Sequence, residues 1–191
     1  LRMIDIVSKE QCTGCSVCVD VCPVRAISIH SDSEGFGYPK IDMGTCIRCN
    51  LCEKKCPVIY AEKLKKNDYV DPICYAGYSK NPEIRFESTS GGAFSTLALQ
   101  MYREGGYVGG AVYDSKYFVR HYISGDKKEL PRLRSSKYSQ SDTVGFYNEV
   151  VHLLDAGSKV LVCGTPCQMA GLRSFLRKDY ENLIIVDFIC L

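Results

Sequence analysis

The sequence has 191 residues, of which 24 are basic and 22 acidic, giving a net charge of +2 with neutral histidines, and 46% are hydrophobic. Such a balance excludes a nucleic-acid binder built on a basic surface and an intrinsically disordered chain, and no apolar run approaches the roughly 18 residues that a membrane span needs. Twelve cysteines make that residue type the one to follow.

The first third carries two runs of one pattern. Cys12-x-x-Cys15-x-x-Cys18-x-x-x-Cys22-Pro23 is followed, 34 positions later, by Cys46-x-x-Cys49-x-x-Cys52-x-x-x-Cys56-Pro57. Cysteines at i, i+3 and i+6 let a tight loop wrap one face of a cubane, with Gly14 relaxing the turn and amides left free to point at the sulfides. A fourth thiol four residues on faces away and serves the neighbouring cluster. Two [4Fe-4S] clusters are therefore expected, one on Cys12, Cys15, Cys18 and Cys56, the other on Cys46, Cys49, Cys52 and Cys22. Val24 and Val58 keep the same offset, so the repeat extends into the core. An even cysteine count also suits a disulfide framework, but no signal-peptide pattern opens the sequence. Zinc takes four ligands per site and does not need a three-plus-one run repeated intact. Thiolates that bridge iron imply a reducing compartment, hence a cytoplasmic location.

The runs resemble two-cluster bacterial ferredoxins over about residues 1–62. The lysine-rich stretch 63–72, closed by Pro72, reads as a linker. Residues 73–191 then need a core of their own. Ile73 to Ser79 has strand character, and Gly91 to Glu104 reads as a helix with Phe94, Leu97, Ala98 and Met101 on one face, ended by Gly105 and Gly106. Tyr107 to Tyr113 is a strand with Phe118 to Ile123 as its hairpin partner. A basic loop follows, since Lys116 to Lys137 holds seven basic residues against Asp126 and Glu129. Such a run is mainly a solvated face, although it can also steer cofactor phosphates or an acidic redox partner. Thr143 to Ala156 is a helix with Tyr147, Val150, Val151 and Leu154 on one side. Lys159 to Cys163 is a buried strand, Pro166 to Lys178 a helix and Leu183 to Ile189 another strand. Strand, helix, strand at this spacing predicts a parallel sheet. The fold class is α+β: an N-terminal ferredoxin-like two-[4Fe-4S] domain, then an α/β domain with a largely parallel sheet.

Three segments of this second unit bear on chemistry. In Cys163-Gly164-Thr165-Pro166-Cys167-Gln168 a strand ends and a helix begins, with Thr165 as N-cap, Pro166 at the first helical position and Gln168 completing a capping box. Cys167 then sits in the first turn, where the helix dipole favours its thiolate as a ligand or redox nucleophile; a small buried hydrophobe is the plainer role for a lone cysteine. Cys167 and Cys190 lie on adjacent strand-loop segments and can converge on a third cluster. Ser90, Gly91 and Gly92 precede a helix and can leave amides free for a cofactor phosphate, although such residues commonly act only as caps. Ser136, Lys137 and Tyr138 add hydrogen-bonding groups in a loop.

Taken in order, Ser90-Gly91-Gly92, Ser136-Lys137-Tyr138, Gly164-Thr165-Pro166-Cys167-Gln168 and Asp187-Phe188-Ile189-Cys190 resemble the beta subunit family of coenzyme F420 hydrogenases and dehydrogenases. The resemblance implies an oxidoreductase that binds FAD beside an iron-sulfur centre and passes electrons to a deazaflavin or another small two-electron carrier, with a redox partner protein or subunit. On that reading Ser90, Gly91 and Gly92 hold phosphate, Lys137 meets a phosphate or the charge of a reduced flavin, and Thr165, Cys167 and Gln168 line the redox centre. No catalytic acid or base stands out. The family continues past Ile-Cys with His-Gly and a long C-terminal portion, which implies that residues 73–191 are incomplete at their C-terminal end. The rival expectation is an electron-transfer module that carries no flavin and serves a catalytic partner.

Overall fold

The computed structural model describes residues 7–61, 73–176 and 178–189. The linker stretch 63–72 and Cys190 therefore lie outside the described residues. Each cysteine run folds as a loop leading into one helical turn, α1 (Val17–Asp20) after the first and α2 (Leu51–Lys54) after the second, at the same 34-residue offset as the thiols. The residue before each turn is left-handed, Ser16 and Asn50 both at φ 58°. Two residues earlier Gly14 (φ 65°) and Arg48 (φ 55°) repeat that conformation, so the second loop adopts without glycine a backbone that glycine eases in the first. Between the loops runs an antiparallel hairpin that the sequence reading did not anticipate, β1 (Ile27–Ser31) with β2 (Gly37–Ile41). Its Ile27 is buried with Cys18 and Cys56, and Ile41 packs on the same cluster.

The remainder carries α3 (Pro82–Phe86), α4 (Ala93–Arg103), β3 (Tyr107–Tyr113), β4 (Val119–Ser124), α5 (Leu130–Leu133), α6 (Phe146–Asp155), β5 (Val160–Gly164), α7 (Pro166–Phe175) and β6 (Leu183–Asp187). The four strands form a mixed sheet in the order β4-β3-β5-β6. The β3–β5 and β5–β6 pairs are parallel, whereas β4 returns antiparallel to β3 as the hairpin expectation requires. Strand β5 is central, and Val160, Leu161 and Val162 are all buried, as befits a strand covered on both faces.

Four expectations need correction. Residues 73–79 form no strand; all but Ser79 are exposed, and an extended segment with no neighbouring strand has nothing to pair with. On α4 the buried residues are Ser95, Ala98 and Met101, with Phe94 partly covered, while Leu97 faces solvent. The basic segment is not simply a loop: Leu130 and Leu133 of α5 are buried against Val112 and Leu161. Helix α7 stops at Phe175, because Leu176 takes up ψ 140°.

The ferredoxin loops and the sheet unit share a core. Cys15 and Val17 belong to the same buried cluster as Phe146, Tyr147, Val150, Val162 and Leu172. Asp20, at the end of α1, accepts hydrogen bonds from the amides of Gly145 (2.7 Å) and Tyr147 (3.2 Å) and so caps the start of α6. On the other side the Ser174 hydroxyl donates to the Lys55 carbonyl at 2.7 Å.

Candidate metal centre

The eight thiols of the two runs lie near one another, and Cys52 of the second run also perturbs Cys18 of the first. Cys12, Cys15, Cys18 and Cys56 lie close enough to perturb one another electrostatically. Burial pushes the Cys15 thiol up to about 11 and the Cys18 thiol up further. Protonated thiols in such surroundings become thiolates when a cation takes up the charge, which suits an iron site. Cys22, Cys46, Cys49 and Cys52 line one small apolar cavity with Val24, Ile27, Ile41, Ile47 and Leu51. The Ala26 amide points at the Cys22 sulfur at 3.3 Å, an outer-shell bond of the kind that tunes a bound cluster. Among the described residues no three cysteine, histidine or carboxylate groups sit close enough to hold a single ion; ligands of a cubane, one sulfur per iron corner, are spaced more widely. Among the described residues the cysteines form no disulfide. The donor set and its spacing fit two clusters.

The sets differ in surroundings. Cys15, Cys18 and Cys56 are 8%, 6% and 5% exposed, whereas Cys49, the counterpart of Cys15 in the repeat, is exposed. The Cys15 carbonyl accepts from the Thr143 hydroxyl at 2.9 Å and from the Tyr147 hydroxyl at 2.7 Å. That same Tyr147 oxygen stands 3.2 Å from the Gln168 carbonyl in the first turn of α7. At the turn itself, Gln168 Oε1 accepts from the Thr165 amide (3.1 Å), and its Nε2 donates to Ser141 Oγ (2.7 Å). Ser141 Oγ in turn lies 3.0 Å from His121 Nδ1. Ser141 Oγ thus links the Gln168 amide to the imidazole, whose Nε2 is buried without a hydrogen-bond partner among the described residues. Burial holds His121 down at about 4, so it is neutral at physiological pH.

Residues 11–59 match the 4Fe-4S dicluster domain, and residues 74–146 match the family described as coenzyme F420 hydrogenase/dehydrogenase, beta subunit N-term. Residues 11–59 thus form a dicluster ferredoxin domain, and residues 74–146 are related to the N-terminal part of that beta subunit family. An uncharacterized ferredoxin of Methanocaldococcus jannaschii is 37% identical over 67 residues, which cover 33% of this chain and 86% of the ferredoxin. An uncharacterized protein of the same organism is 21% identical over 208 residues, covering 94% of this chain and 56% of its own length. The trichloroethene reductive dehalogenase of Dehalococcoides mccartyi is 30% identical over 100 residues, covering 44% of this chain and 18% of the dehalogenase. The small ferredoxin apart, the chain spans little more than half, or less, of these relatives. This beta subunit relative is an iron-sulfur electron-transfer protein, and no helix among the described residues is long and apolar enough to cross a membrane.

Within this family framework the residues of the second unit are placed unevenly. Thr165 precedes α7 as expected, with its hydroxyl 3.1 Å from the half-buried Cys167 sulfur. Cys163 is the last residue but one of β5, its thiol pushed up to about 11 by burial and by the neighbouring Asp187, against which Lys137 works. Lys137 is turned inward: its ammonium donates to the carbonyls of Arg132 (2.8 Å), Leu133 (3.2 Å) and Arg134 (2.7 Å), closing the end of α5, and burial lowers it to about 8. Gly92, left-handed at φ 81°, starts α4, with Gly91 beside Gly77 and Tyr78 and with Ser90 exposed. Much of the basic run is engaged structurally, through Arg132 with Glu129, Arg134 with Glu87, and Arg132 over the Tyr122 ring. A cavity of about 610 Å³ lies elsewhere, between α2 and the α7–β6 segment, and is lined by Lys54, Arg173, Tyr180 and Leu183 among others but by no cysteine. Thr143, Tyr147, Ser141 and His121 were not singled out as site residues from sequence. Tyr147 showed only as part of an apolar helix face, Ser141 as the end of a hydroxyl-rich loop, Thr143 as a helix start and His121 as a strand residue.

Proposed function

We propose that this chain is an iron-sulfur flavoprotein oxidoreductase that moves electrons between two [4Fe-4S] clusters and a flavin-linked two-electron substrate, coenzyme F420 or another acceptor. The observation that carries this reading is the Tyr147 hydroxyl, which joins the Cys15 loop to the Gln168 carbonyl. It puts the ferredoxin loop in contact with the turn that the family resemblance assigns to the redox centre. When bound, clusters supply single-electron steps and FAD converts them to pairs. Cys12, Cys15, Cys18 and Cys56 hold one cluster, and Cys46, Cys49, Cys52 and Cys22 the other. Gln168 and Ser141 hold the Thr165 turn and tie it to the His121 ring. Ser90, Gly91, Gly92 and Lys137 are assigned to the anionic parts of the flavin, and Thr165, Cys167 and Gln168 to its surroundings. A third cluster on Cys167 would need Cys190, beyond the described residues. The thiolate chemistry favours the cytoplasm, and the partners are a small two-electron carrier and a redox protein or subunit.

The test is acid-released flavin per chain from protein purified without oxygen. Near-stoichiometric FAD supports the oxidoreductase reading. A flavin-free carrier serving a catalytic partner is the second reading, and one observation favours it: neither cavity described above is lined by Ser90, Lys137 or Cys167, and Lys137 already donates to three carbonyls. No flavin after incubation with excess FAD, with both clusters intact, would decide for the carrier.

A further inference from the structure

We infer that Thr143, Tyr147 and Gly171 form a junction that sets the position and the reduction potential of one cluster only, the one on Cys12, Cys15, Cys18 and Cys56. The inference rests on the two-cluster part of the reading above. Cys15 is the ligand at which the ferredoxin loop enters the shared core. Its carbonyl is held by two hydroxyls whose residues, Thr143 and Tyr147, are both 0% exposed. Two donors on one buried carbonyl fix the peptide that follows the ligand, and with it the direction of the sulfur. The Tyr147 ring is itself fixed, tilted against Phe175 with centroids 5.9 Å apart and edge-on to Phe146 at 6.2 Å.

Gly171 completes the junction from α7. A Cβ at this position would stand 3.0 Å from the Tyr147 hydroxyl, 3.3 Å from the Cys15 Cβ and 3.4 Å from the Cys15 sulfur. The absence of a side chain is what lets helix backbone approach a ligand sulfur this closely. The repeat supplies a built-in comparison, because Cys49 occupies the corresponding place in the second loop and is exposed. Two loops of one sequence pattern and one backbone conformation thus differ chiefly in what touches them. Tyr147 and Thr143 act on the cluster through Cys15, as positioning residues.

The sign follows from the dipoles. A hydroxyl donating toward the Cys15 peptide presents its positive end to the ligand and favours the more negative, reduced cluster; cluster potentials respond to such hydrogen bonds and to exposure. Tyr147→Phe removes the hydroxyl and keeps the ring, and Thr143→Val removes the other donor at constant shape. Each is expected to lower the potential of the first cluster and leave the second in place, with Thr143→Ser restoring the original value. Gly171→Ala should alter the line shape of the same signal, because Cys15 or Tyr147 must give way by a few tenths of an ångström.

The experiment is a redox titration followed by electron paramagnetic resonance on full-length protein purified without oxygen, with iron and sulfide counted for each variant. Cys49→Ser, in the exposed loop, identifies the second cluster's signal. A downward shift confined to the other signal, reversed in Thr143→Ser, supports the junction. Equal shifts of both signals, or none in either variant with both clusters present, overturn it while leaving the two-cluster reading intact. Fewer than two clusters in the unsubstituted protein would remove that reading and the junction together.

Discussion

Replacing Asp20 tests how the ferredoxin loop and the sheet unit are joined. Its carboxylate accepts from the amides of Gly145 and Tyr147, at 2.7 and 3.2 Å, where α6 begins. Burial raises its pKa, and those amide bonds pull it back, so the group's role is set by the backbone it caps. Losing an N-cap side chain costs about 1 kcal/mol, and losing a negative charge at a partly buried helix start adds about 1 to 2 kcal/mol. Asp20→Ala is therefore expected to weaken this end of α6 by about 2 to 3 kcal/mol, a factor of about 30 to 150 in the local opening equilibrium. Hydrogen exchange at the Gly145 and Tyr147 amides reads that factor directly, provided exchange tracks the opening equilibrium. Asp20→Asn keeps one acceptor and loses the charge, so its effect should be smaller. Unchanged exchange at both amides in Asp20→Ala, with iron content retained, would refute the capping argument.

Acid should act through His121. Its folded value of about 4 lies below the ordinary histidine value of 6.5, so the unfolded chain takes up the proton first and stability falls as pH drops through that window. From about pH 7 to about pH 5.5 the loss should be about 1 kcal/mol in anaerobic denaturant titrations, and His121→Leu should flatten that slope. Gln168→Leu strips partners from the Thr165 amide and Ser141; a loss of about 2 kcal/mol is expected from unmade buried hydrogen bonds, measured in the same titrations. Leu133→Ala should cost about 2 to 3 kcal/mol, because α5 packs this side chain into the core; a change within about 0.5 kcal/mol would mean that α5 lies loose on the surface.

The dicluster ferredoxin domain was legible because its chemistry lies in local cysteine spacing, and a spacing survives without knowledge of the fold. Helix α6 and strand β5 were legible for a related reason, since Tyr147, Val150 and Leu154 share one core with Val160 and Val162, while Leu161 is buried on the opposite face. Helix α5 was hidden because its two buried leucines stand among arginines and lysines whose charges dominate the reading. Lys137 carried the chemistry of an anion ligand in the sequence, but three neighbouring carbonyls claim its ammonium in the fold. The junction at Cys15 could not be read at all. Thr143 and Tyr147 meet that cysteine across 128 and 132 positions, and a hydroxyl directed at a distant carbonyl leaves no periodic mark.

The unequal burial of the two cysteine loops has a consequence for survival in air. Oxidants reach thiolates in proportion to their accessibility, and the repeat offers them one open door, at Cys49, and one closed, behind Cys15, Cys18 and Cys56. Decay on exposure to oxygen should therefore run in sequence, the second site failing before the first. A chain caught midway would keep a single cluster, sheltered beneath α6 and α7.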